Sequence, residues 1–175
     1  MHGVEQPVFL YDVGSPWCWL AGERVHAVLG LVPEWQPVLA PPAGVDRDAV
    51  ARASIEQGLP APRWPDGFPF DSDLAMRAAT FAKQTGRAVA FSLAAMRQAF
   101  AAGRDLSVVD NVLIAAAACE LHPRAVLKAL ETRSVADALI RLDDAGVAAL
   151  PALRVGGEVF SGPGAPEAAA ALLRT

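Results

Sequence analysis

The segment Gly14-Ser15-Pro16-Trp17-Cys18 holds the residue types and the spacing best suited to chemistry. It follows a short apolar run, VFLYDV at 8–13, which is rich in strand formers and is broken by Gly14. Ser15 is a favoured helix N-cap, and Pro16 fits the first helical position with no lost hydrogen bond, so the pair predicts a helix start. The first N–H groups of a helix and the positive end of its dipole favour an anion there. A thiolate is such an anion, and C-x-x-C sites lower a cysteine pKa in this way. Here the motif is S-P-W-C: the place of the nucleophilic first cysteine carries the Ser15 hydroxyl, and Cys18 stands second. Disulfide exchange needs a thiolate attacker, so this motif cannot run a two-cysteine cycle. Read alone, Ser15 is also an ordinary N-cap contributing about 1 kcal/mol. Cys18, three residues into an apolar helix, reads as a buried small hydrophobe. Trp17 and Trp19 cannot share a helix face, and Trp17, inside the motif, is the better one to line a cleft.

A second feature is Leu150-Pro151. A proline that opens a strand after a helical stretch is a place for a cis bond. That geometry would leave the Leu150 backbone free to pair with an extended, peptide-like ligand. Other motifs fail. Neither lysine sits in a Gly-rich loop, so there is no P-loop. Gly162-Pro163-Gly164-Ala165-Pro166-Glu167 follows a strand and opens a helix, but it ends in Glu where a dinucleotide fingerprint needs Gly. His2, His26 and His122 lack carboxylate or cysteine partners at ligand spacing, so no metal site is expected. No G-x-S-x-G elbow surrounds Ser15.

Around these residues the chain reads as βαβ, then helices only, then ββα. A helix from Ser15-Pro16 toward Pro33 leads into a second strand, EWQPVLA at 34–40, where Pro37 marks an edge or a bulge. A short helix falls at 46–57, and the stretch GLPAPRWPDGFPF, with Pro60, Pro62, Pro65 and Pro69, excludes regular structure. Helical spacing then covers 72–85, 88–102, 107–121 and 123–131, and a further helix is expected from Ser134 to Gly146. PALRV, the Gly156-Gly157 turn and EVFSG form a two-residue hairpin, and APEAAAALLRT a closing helix. The expectation is one compact α/β domain built from 1–45 and 147–175, with a helical insertion at 46–146.

Composition bounds the function. Of the 175 residues 36 are Ala, which raises hydropathy without forming a membrane span. Fifteen Lys and Arg against nineteen Asp and Glu, with no basic block, make nucleic acid a poor partner. Two cysteines, Cys18 and Cys119, cannot form a disulfide scaffold. The N-terminus lacks the pattern of a signal peptide, and a soluble cytoplasmic protein is expected.

The stretches FLYDVGSPWCWLAGERV, GFPFDSDLAMRAATFA, FAAGRDLSVVDNVLIAAA and GVAALPALRVGGEVFSG, in this order, resemble the DsbA-like thioredoxin superfamily. The resemblance is to the branch of kappa-class glutathione transferases and 2-hydroxychromene-2-carboxylate isomerases. It implies a thioredoxin-like fold with an all-helical insertion, a homodimer, and glutathione as cofactor. It further implies that Ser15 holds the glutathione thiolate and that Trp17 lines the site. Pro151 would be the family's cis-proline, and the Leu150 backbone would pair with the cysteinyl unit. Cys18 matches the resolving cysteine of dithiol members, a possible redox remnant. The family's Gly-x-Asp-Arg after the last strand, which holds the γ-glutamyl end, reads Gly162-Pro163-Gly164-Ala165 here. The acidic anchor is missing, which would weaken glutathione binding; a charge-assisted hydrogen bond contributes about 1.5–3 kcal/mol.

Three functions follow. The first is a glutathione-dependent isomerase or transferase acting on a small aromatic or conjugated substrate. The second is an oxidoreductase-like protein with a degenerate S-P-W-C motif. The third is a non-catalytic binding module on the same fold.

Overall fold

A computed structural model describes residues 5–175 of the chain; His2 lies outside the described residues. Strand β1 (Val8–Tyr11) alternates its side chains between two faces. Phe9 and Tyr11 enter the main core, where both rings meet Trp35, while Leu10 packs with Val38, Ala145 and Ala152 on the opposite face. Helix α1 (Pro16–Leu29) begins at Ser15 and stops at Gly30, whose φ of 72° closes the helix with an N–H to His26 O bond of 2.9 Å. Strand β2 (Glu34–Leu39) then runs parallel to β1.

Six helices follow: α2 (Arg47–Glu56), α3 (Asp73–Gln84), α4 (Ala88–Phe100), α5 (Val109–Ala118), α6 (Pro123–Glu131) and α7 (Arg133–Ala138). The helix expected from Ser134 to Gly146 is a correction. Its N-cap is Thr132, two residues before the expected N-cap Ser134, and it ends at Ala138. Leu139 turns extended, and β3 (Ile140–Arg141) pairs in parallel with Val38 and Leu39 of β2. The pairing supplies backbone partners, and it sets Ile140 and Leu142 against the small cluster around Leu10 and Val38. Because β3 reaches only Val38, no strand among the described residues borders β2 on its outer side at Pro37. This is the edge position that the proline predicts.

Strands β4 (Ala152–Val155) and β5 (Glu158–Ser161) form the hairpin, with Gly156 at φ 57°, and α8 (Ala165–Leu173) closes the described chain. The sheet order is β3-β2-β1-β4-β5, with β4 antiparallel to β1 and to β5. This is a thioredoxin-like βαβ…ββα arrangement with the helical run between its halves. Among the described residues no helix is long and apolar enough to cross a membrane.

Candidate functional site

The β1–α1 junction is built by Asp12, Ser15 and the turn between them. Asp12 Oδ1 accepts the Gly14 N–H at 2.7 Å, and the Asp12 carbonyl accepts the Ser15 N–H at 3.1 Å. Ser15 sits in extended backbone, and its Oγ accepts the Cys18 N–H at 3.2 Å. A serine hydroxyl has one hydrogen and two lone pairs, so capping leaves the Ser15 hydrogen free to donate. The Trp17 N–H makes no hydrogen bond to a described residue and stands in the same first turn.

Ser15 and Trp17 open onto a cavity of about 360 Å³. One wall is Gly14 to Trp17, a second is Ala40 to Ala43 with Val45, and a third is Phe70 and Ser72. Leu142 and the Ala148–Leu150 segment complete it. The lining is chiefly apolar; its polar side chains are Asp12, Ser15 and Ser72. Past Ala40–Pro42 and Leu142 the cleft adjoins a second hollow with charged walls, Asp71, Asp73, Arg141 and Asp143.

The Leu150–Pro151 peptide is cis, and so is Phe68–Pro69. Leu150 lines the cavity, and its backbone amide and carbonyl make no hydrogen bond to a described residue. Pro151 is buried behind it, and its carbonyl accepts the Gly162 N–H at 2.8 Å. The structure therefore brings Ser15, Trp17 and Leu150 together, with Pro151 as support. Gly162 and Cys18 stay out of the lining. The single N–H of Gly162 is spent on Pro151, so it offers no donor to a ligand. Cys18 is 0% exposed, and burial pushes its thiol up to about 12, so it remains protonated in the core. Cys119 is also buried and directs its Sγ to the Ala116 carbonyl at 3.3 Å. Trp19 is core, stacked on Phe100. Trp64 packs on Phe68 and Phe100 under the Arg47 guanidinium, so it anchors the Pro-rich loop and leaves the cavity uncovered.

The segment after β5 is occupied by the protein itself. Arg24 of α1 donates to the Pro163 carbonyl at 2.6 Å and to both Glu167 oxygens at 2.8 and 3.3 Å. The one carboxylate near the degenerate Gly162-Pro163-Gly164-Ala165 stretch is thus engaged, and Arg24 holds its pKa below the ordinary value.

Asp12 and Ser72 are the polar cavity residues that the sequence reading passed over. Asp12 is 3% exposed, and its Oδ2 accepts both the Ala40 N–H at 2.8 Å and the Ser72 hydroxyl at 2.9 Å. Burial raises its pKa to about 6 against the opposing pull of these bonds. Asp two residues before Gly is an Asx-turn signature and signals the first of the bonds. Nothing local signals the other two, whose partners lie 28 and 60 residues away. Among the described residues no group of three or more His, Cys, Asp or Glu is arranged to hold a metal ion.

The fold is that of the DsbA-like thioredoxin proteins. A probable DsbA oxidoreductase from Streptomyces coelicolor superposes with a TM-score of 0.76 at 19% identity, over 96% of this chain and 88% of that one. A 2-hydroxychromene-2-carboxylate isomerase gives 0.72 at 13% identity, over 90% and 88%. The cytosolic disulfide reductase DsbM from Pseudomonas aeruginosa, solved with GSH, gives 0.65 at 19%, over 97% of each chain. No protein-family model matches the sequence, and no curated protein does.

Proposed function

We propose that the protein is a thiol-dependent isomerase or transferase of the kappa/2-hydroxychromene-2-carboxylate isomerase type, with glutathione or a related small thiol as cofactor. The observation that carries this reading is the Ser15 hydroxyl. It caps α1 yet keeps its hydrogen, in an apolar cavity shared with the unpaired backbone of Leu150. A bound thiolate would receive the Ser15 hydrogen and face the free Trp17 N–H at the positive end of α1. Such a thiolate would supply reversible nucleophilic addition to an electron-poor conjugated carbon, while Ser15 and the start of α1 hold its charge. Trp17, Phe70 and the prolines suit a planar hydrophobic substrate. The GSH-bound reductase and the isomerase, which share the fold, support the choice of thiol and of reaction.

On the same reading the protein is cytoplasmic and homodimeric, residues 46–146 form the helical insertion domain, and the rest forms the thioredoxin-like domain. Dithiol oxidoreductase activity is disfavoured, because position 15 is Ser and Cys18 is sealed in the core. A non-catalytic binding module is favoured by one observation, the Arg24 clamp on Pro163 and Glu167 that occupies the expected γ-glutamyl anchor.

The test is calorimetric titration of the wild type and Ser15→Ala with reduced glutathione, with the ultraviolet band of the thiolate followed in parallel. Binding with thiolate formed at neutral pH only when Ser15 is present is the expected result. Equal thiolate in Ser15→Ala removes Ser15 from the mechanism, and binding with no thiolate in either protein leaves the binding-module reading.

A further inference from the structure

Among the described residues, Asp12 is the only charged side chain in the lining of the Ser15 cavity. Two of its three donors, the Gly14 and Ala40 N–H groups, can only donate. The third, the Ser72 hydroxyl, can donate or accept. Oδ1 accepts one bond and Oδ2 two, so a proton can join Asp12 on the open lone pair of Oδ1 or at Oδ2 on the Ser72 side. The second place is the one served by a hydroxyl that can hand a proton on. The hydroxyl then turns, accepts from the new carboxyl group and releases its own hydrogen. Ser72 is 3% exposed and lines the same cavity as Ser15.

The charges around Asp12 favour that state once an anion enters. No Lys or Arg lies within ion-pair distance of it among the described residues. Ahead of α3, Asp71 has the same sign and adds to the upward pull of burial on Asp12. Tyr11 of β1 and Cys18 of α1 are buried, with pKa values pushed up, and stay neutral. The Ala40–Pro42 wall brings no titratable group. Two anions in one chiefly apolar cavity cannot both remain ionised.

We propose that Asp12, acting through the Ser72 hydroxyl, takes the proton of the thiol that binds at Ser15. This rests on the thiol-dependent reading above. The S–H bond breaks and its electron pair stays on sulfur. That proton goes to Ser72 Oγ while the Ser72 proton passes to Asp12 Oδ2. The cavity holds one negative charge throughout, first on Asp12 and then on sulfur. Afterwards the Ser15 and Ser72 hydroxyls both donate to the thiolate, and release of the thiol reverses the transfer.

A proton count tests this. Reduced glutathione, whose thiol is mostly protonated at about pH 7, is titrated into the full chain in buffers of different ionisation enthalpy, with thiolate read by absorbance. The wild type should form thiolate and release close to no proton to buffer, and Asp12→Asn should release nearly one for each thiolate it forms. Ser72→Ala, which keeps both N–H bonds to Asp12, should slow thiolate appearance at least tenfold in stopped flow, and Ser72→Thr should restore it. Should Asp12→Asn not fold, the wild-type count and the Ser72 pair still decide. A whole proton released by the wild type, or an unchanged rate in Ser72→Ala, overturns the transfer while leaving the thiol-dependent reading intact. No thiolate in the wild type overturns both.

Discussion

Asp12 should destabilise the fold as pH rises, and Asp12→Asn should reveal it. Burial raises the Asp12 pKa from its ordinary 3.8 to about 6. A raised carboxyl pKa means that folding favours the protonated form. The associated stability is fully present below about pH 4 and is lost as pH rises through about 6. At 1.36 kcal/mol per unit, the loss reaches about 3 kcal/mol by about pH 8. Asn does not titrate, but its amide nitrogen must face a donor. With Oδ1 on Gly14 and Nδ2 on Ser72, the Ala40 N–H loses its acceptor, a pH-independent offset of about 1–3 kcal/mol. Urea unfolding of both proteins from about pH 4 to about pH 8 gives the difference curve, in which the wild type should lose about 3 kcal/mol relative to the variant. Glu167 has the opposite sign: its lowered pKa gives stability that is lost on acidification. That contribution is present in both proteins and cancels. A flat difference, or one in which the wild type loses stability on acidification, would show that the three donors outweigh burial, and the reasoning about Asp12 would fail.

Two further outcomes follow from burial and packing. Cys18 and Cys119, both buried, should resist a thiol reagent in the native protein, and both should react after unfolding in guanidinium. Fast labelling of Cys18 in the folded state would restore the redox reading. Trp17→Ala should weaken binding of a planar apolar ligand about 10–100-fold, or about 1.4–3 kcal/mol, with little change in the glutathione thiolate band. An equal loss of both signals would place Trp17 in thiol binding instead.

Where local pattern and tertiary structure agree, the sequence is a sufficient guide. VFLY is apolar without alternation because each face of β1 meets its own cluster, and Gly156-Gly157 needs only its own backbone to make the turn. Ser15-Pro16 starts α1 by local capping alone. The reading of 134–146 as one helix failed because Ile140 and Arg141 gain sheet partners on β2, about a hundred residues earlier. No window of local periodicity contains that. The site divides in the same way. Ser15 and Trp17 are legible because they share one short motif. Asp12 is not, because its burial is made by Ala40 and Ser72, which only the folded chain brings to it. Ser72 itself illustrates the point. It precedes α3 as an N-cap would, yet it makes no capping bond, since its hydroxyl is turned to Asp12.

A serine at position 15, where a dithiol motif has its first cysteine, changes what the rest of the site must supply. A dithiol protein carries its nucleophile in its own chain, where the helix terminus can lower its pKa. Here the chain's remaining thiol at the motif, Cys18, faces the core and is driven the other way, up to about 12. A free thiol is mostly protonated at about pH 7, so one that binds here would lose its proton next to a carboxylate already buried in the cavity. A buried carboxylate with two fixed donors and one reversible hydroxyl can take up that proton. A site meant only to bind would gain from replacing Asp12 by a neutral acceptor, because the charge costs stability at neutral pH. The carboxylate is therefore the strongest argument on this chain for chemistry over binding alone. The proton count in Asp12→Asn is where that argument stands or falls.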